Sequence, residues 1–101
     1  HDLKTDFNNP NSPTVATEFV GTSISSDFPE VFIPPTVAAL SNNPHTKFFD
    51  GKNRGYVRCH LTHETWQSDY RVVSTIREQS ATISTLASFV TQNGRPGAER
   101  A

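Results

Sequence analysis

The chain of 101 residues contains no methionine and a single cysteine, Cys59. One cysteine forbids an internal disulfide, so nothing covalent staples this fold. With no methionine anywhere and His1 as its first residue, the chain is expected to derive from something longer. No stretch approaches the roughly 20 apolar residues that span a bilayer, so no transmembrane segment is expected. Net charge is −1. No basic face or polybasic run is present to engage nucleic acid or an anionic membrane surface. Hydrophobic residues make up 34%, where about 45–50% apolar, glycine included, is usual for a globular domain. The five glycines do not close that gap, so the core should be thin, or completed from outside these residues.

What is present is mostly strand. Residues 1–13 are polar and turn-rich (Asn8-Asn9-Pro10-Asn11-Ser12-Pro13) and read as an arm leading into the sheet. Thr14 to Ser23 reads as a strand with apolar groups on both faces, which favours a central position. Ser23 to Pro35 is irregular. Thr36 to Asn42 is a short helix, since Pro34 and Pro35 fit only at or before a first turn and Pro44 disfavours helix at Asn43. His45 to Asp50 reads as a short strand. Asp50-Gly51-Lys52-Asn53 reads as a turn suited to φ > 0.

The next segment fixes a register. Val57, Cys59 and Leu61 share one strand face; Trp66, Ser68, Tyr70 and Val72 share another. A three-residue loop pairs Val57 with Arg71 and mixes core with charge. A four-residue loop, Thr62-His63-Glu64-Thr65, pairs Leu61 with Trp66, Cys59 with Ser68 and Val57 with Tyr70. It also sets Arg58 opposite Asp69 on the outer face. A slip of one residue would turn every side chain over, so the second register is expected. Ile83 to Thr91 reads as the last strand of a sheet portion spanning 14–92. Residues 93–101 read as a frayed tail.

Chemistry-bearing residues are sparse. His60 and His63 lie three apart, but on a strand entering a turn they face different ways, and two exposed polar residues explain them better than a zinc site. His45, in Asn43-Pro44-His45, is a turn histidine that either bonds backbone or faces a substrate. Glu18, in an apolar strand, needs a partner: an arginine from a neighbouring strand, or a ligand of an active site. Cys59 is most simply a small core hydrophobe. No Asp-x-His, His-Glu-x-x-His, Cys-x-x-Cys, Gly-x-Ser-x-Gly or phosphate loop occurs. The residues alone thus give a β-rich module without a complete catalytic set, and a stand-alone binding or accessory module remains a second reading.

Several pieces in order (Val15 to Ser26, Asn43 to Phe49, Arg54 to Cys59, Trp66 to Val73, and Asn93-Gly94-Arg95-Pro96-Gly97) resemble the C-terminal part of the alkaline phosphatase D family, the PhoD-like, calcineurin-like metallophosphatases. The resemblance implies a β-rich α+β fragment: an antiparallel sheet with one short helix, belonging to an α/β/β/α metallophosphatase sandwich. It implies a parent enzyme that hydrolyses phosphate monoesters and diesters, uses calcium and iron, and is exported through the twin-arginine route to the periplasm or beyond the cell. The family's Asp-x-His pair would precede His1, so no metal ligand and no catalytic residue carries over. The rest of the metallophosphatase domain is the implied partner, a phosphate ester the implied substrate. His45 and Arg54 are the two residues expected on the substrate side.

Overall fold

The computed structural model describes all of residues 1–101. Its centre is the hairpin of β3 (Arg54–Leu61) and β4 (Thr65–Val73). The register is the one the alternation of side chains dictates: Leu61 faces Trp66, Cys59 faces Ser68, Val57 faces Tyr70 and Arg58 faces Asp69. Thr62 closes the turn. Its amide donates to the Thr65 carbonyl at 2.9 Å, and its hydroxyl accepts from the amides of Glu64 at 3.2 Å and Thr65 at 3.0 Å, the local bonding that makes threonine a turn residue.

On the opposite face of β4, the one expected to be outer, sits Asp69, paired with Arg58 as expected but buried. Asp69 is 5% exposed. It accepts from Gln67 Nε2 at 2.9 Å, Ser88 Oγ at 2.7 Å, and Arg58 through Nη2 at 2.8 Å and Nε at 3.2 Å. The Gln67, Ser88 and Arg58 bonds hold its carboxyl far below the usual carboxylate range. A depressed folded pKa contributes stability above the unfolded carboxylate's pKa of about 3.9, lost as pH falls through the folded value. Acid unfolding of the native chain should therefore steepen below about pH 4. In Asp69→Asn this component should vanish; an unchanged acid profile would show that the network adds nothing.

β5 (Ile83–Gln92) pairs antiparallel with β4, and Leu86 is skipped by the pairing between Tyr70–Ala87 and Arg71–Thr85. Contrary to the reading of 93–101 as a frayed tail, β6 (Arg95–Arg100) continues the sheet, in the order β3-β4-β5-β6. The physical reason is Asn93-Gly94 between Gln92 and Arg95, which face each other. Gly94 has φ +76°, the left-handed backbone a two-residue hairpin turn requires. Pro96, without an N–H, is tolerated because β6 ends the ladder.

The first 13 residues also do more than lead in. β1 (Asp2–Lys4) pairs antiparallel with β2 (Thr14–Thr17) as a separate two-stranded sheet. The loop between them carries the polar turn bonds its composition requires, including Ser12 Oγ to the Asp6 carbonyl at 2.6 Å. β2 is shorter and less central than expected. Val15 is 55% exposed, because β1 is the only ladder partner of β2, and Val20 lies beyond the strand's end. One side chain joins β1 to β6: Lys47 Nζ lies 2.6 Å from Asp2 Oδ2 and donates to the Ala98 carbonyl at 2.8 Å.

α1 spans Ile33–Ala39, three residues earlier than expected at its start, with both prolines in its first turn, where no N–H is missed. A 3₁₀ turn, Leu40–Asn42, ends the helical stretch before Pro44. His45 to Asp50 is not a strand. Its apolar residues cross the sheet instead: Phe48 lies 5.5 Å, ring to ring, from both Tyr70 and Phe89.

The core is as thin as composition implied. Ala87, Phe89 and Ala98 are its buried hydrophobic members, with Phe19, Phe48 and Tyr70 packed on them. Cys59, expected inside, is exposed. The molecule measures 44 × 36 × 16 Å.

Candidate functional site

One concavity is a cleft of about 400 Å³ beside the start of β3. Phe28, Phe49, Tyr56, Val57 and Leu86 form its walls, and Arg54 lies at its base. Local sequence explains the arrangement. Asp50 Oδ1 accepts from the amides of Lys52 at 3.0 Å and Asn53 at 2.8 Å, which turns the chain into β3. Gly51 sits in that turn without a positive φ, contrary to expectation. Space decides the residue there: a Cβ would lie 3.0 Å from Ile33 and 3.1 Å from Phe49.

Arg54 is 7% exposed. It donates from Nη2 to the Gly51 carbonyl at 3.1 Å, and from Nη1 to Ser23 Oγ at 3.1 Å and the Ser26 carbonyl at 3.4 Å. Its terminal nitrogens therefore staple the hydroxyl-rich loop 23–26 and the turn 50–53 to the start of β3. No local pattern in the sequence announces the contact with this loop, since Ser23 and Ser26 lie 31 and 28 positions from Arg54.

His45 is elsewhere. It does not line the cleft; its ring stands edge-on to Phe7 at 4.9 Å and to His1 at 5.5 Å. Its carbonyl accepts from the Asp2 amide at 2.8 Å. The structure thus separates the two residues expected on the substrate side. Glu18 meets neither an arginine nor a reactive group, but His1 Nε2 at 2.7 Å. His60 and His63 are exposed. Cys59 Sγ lies 3.8 Å from Ser68 Oγ, with no base beside it. Tyr70, in the cleft wall, has its phenol pushed up by burial, which keeps it neutral.

No three His, Cys, Asp or Glu side chains are grouped where they could hold a metal ion. The calcium and iron of the resembled family therefore do not fit any donor set in these residues. The hydroxyls of Ser88 and Thr17 donate to the buried carboxylates of Asp69 at 2.7 Å and Asp2 at 2.9 Å, and neither hydroxyl lines the cleft.

Fold and site together define a class: an open four-stranded antiparallel sheet with a two-stranded sheet and one short helix beside it, shaping a cleft next to a buried arginine. The PhoD-like phosphatase family profile matches residues 1–70. Over 96 residues the chain is 44% identical to alkaline phosphatase D of Bacillus subtilis (strain 168), covering 94% of this chain and 16% of that protein. A solved structure described as "Structure of PhoD" superimposes with a TM-score of 0.80 at 39% identity, over 99% of this chain and 19% of that one. The chain belongs to the PhoD-like phosphatase family. It corresponds to a fragment of that family's fold, about a sixth of the curated relative's length.

Proposed function

We propose that this chain is the C-terminal sheet portion of a metal-dependent phosphatase that hydrolyses phosphate monoesters and diesters, and that it is inactive alone. The observation that carries the reading is the match itself: 44% identity over 94% of the chain to a protein called alkaline phosphatase D, with a backbone agreeing at a TM-score of 0.80. In such an enzyme calcium and iron would polarise the phosphoryl oxygen and supply hydroxide at neutral pH. Their ligands come from outside these 101 residues, in an α/β/β/α sandwich of which this sheet is part. The chain's own contribution is shape. Arg54 ties loop 23–26 to the start of β3, and the hairpin contributes residues of the cleft. The parent acts outside the cytoplasm, in the periplasm or beyond the cell.

The test is hydrolysis of bis-(p-nitrophenyl) phosphate by the purified chain. No turnover above background is expected, with or without added calcium and iron. Robust turnover abolished by chelation would falsify the inactive-alone reading.

A further inference from the structure

The apolar side of the sheet is unfinished in a specific way. Val20, Ile24, Leu61 and Trp66 are 60%, 57%, 59% and 42% exposed, and Leu86 38%. Four of them lie along the cleft or the shallower hollow of about 660 Å³ that adjoins it at Gly55, Tyr56 and Val57: Val20 and Leu86 the cleft, and Ile24 and Trp66 the hollow. The opposite side of β4 is polar and internally bonded through Arg58, Gln67, Asp69 and Ser88. β3 ends the sheet with no strand on its outer side. One face asks for cover and the other does not.

We propose that this cleft and hollow form the docking surface for the remaining polypeptide of a PhoD-like phosphatase, and that the chain can take up that remainder in trans. The inference rests on the functional reading above. Two observations select this occupant. First, 99% of this chain superimposes on 19% of a longer PhoD chain, so most of the polypeptide that could cover the face lies outside these residues, and the backbone presented here is the one held within the longer fold. Second, the surface is concave. A two-fold dimer sets a patch against itself, and two hollows of 400 and 660 Å³ face to face would leave voids that packed interfaces do not tolerate. A convex partner fits; a second copy does not.

The experiment co-refolds this chain with Bacillus subtilis alkaline phosphatase D polypeptide lacking the stretch that the chain matches, and measures mass by light scattering. A 1:1 complex is expected. Fully burying one large apolar side chain is worth about 1.5–3 kcal/mol, so Ile24→Asp and Leu86→Asp should each weaken the complex by about tenfold or more. Val20→Asp lies outside every strand and should weaken it similarly while leaving the fold, checked by circular dichroism, untouched. Absence of a complex at micromolar concentration would overturn the proposal. So would a complex indifferent to all three variants, or a homodimer of this chain that the same variants dissolve. A 1:1 complex without phosphodiester hydrolysis supports the docking surface and removes the phosphatase reading instead.

Discussion

Gly55→Ala is expected to destabilise the chain by at least about 3 kcal/mol, the upper range for overpacking a filled site. A Cβ on Gly55 would lie 1.9 Å from the Arg71 carbonyl oxygen and 2.8 Å from the Val72 Cα. Both are backbone atoms of the paired strand, so no rotamer change can relieve the clash. Either β3 and β4 separate at their open end or the register slips, and a slip would turn Val57 and Tyr70 off the core face. For a domain near 100 residues each kcal/mol shifts Tm by roughly 4–8 °C, so a fall of about 12 °C or more should appear in a thermal melt. Gly21→Ala is the control: its Cβ would lie 3.7 Å from Val57, an ordinary contact, and Tm should hardly move. A Gly55→Ala variant melting with the native chain would mean the strands do not approach as closely as described.

Lys47→Ala is expected to cost about 2–3 kcal/mol, below the 3–5 kcal/mol of breaking a fully buried pair, because the Lys47 side chain is 42% exposed. Its loss leaves Asp2, 3% exposed, with Thr17 Oγ1 at 2.9 Å and the Ala98 amide at 3.4 Å, and the Ala98 carbonyl without its donor. In the native chain burial raises the Asp2 pKa, but the Lys47 and Thr17 hydrogen bonds more than offset it, and the carboxyl sits below its usual range. That depressed pKa gives stability present above the unfolded value of about 3.9 and lost as pH falls through the folded one. Without Lys47 the burial contribution remains and the pKa rises. The penalty of the substitution should thus be largest near neutral pH and shrink below about pH 4. Denaturant melts at pH 7 and pH 3.5 measure the difference, and equal penalties at both would refute the ion-pair account. In a cycle with Asp2→Asn the two losses should be less than additive.

The hairpin was legible because its period of two leaves few alternatives: a charged residue in the core face rules a register out. The four cross-strand pairs follow from that alone. The helix was legible through its prolines, though its start was misplaced by three residues, since proline marks a first turn without saying which residue precedes it. Elements held by long-range contacts were not legible. β1 exists because Asp2 meets Thr17 across the ladder and Lys47 from a distant loop, and no window of 13 residues contains those partners. β6 was passed over although Asn93-Gly94 is a strong hairpin signal, because Pro96 and Gly97 read as the end of order. The surroundings of Arg54 were not legible: its bonding to Ser23, Ser26 and Gly51 spans up to 31 positions. Nor were those of His45, whose partners in space are Phe7 and His1.

The bond from the Ala98 amide to Asp2 Oδ1, at 3.4 Å across 96 positions, brings the two extremities of the sheet to a single corner. Any polypeptide running in through Asp2 and out through Ala98 would cross the boundary of this unit at neighbouring points. That is the geometry of a cassette, which can be spliced into a host loop without stretching it.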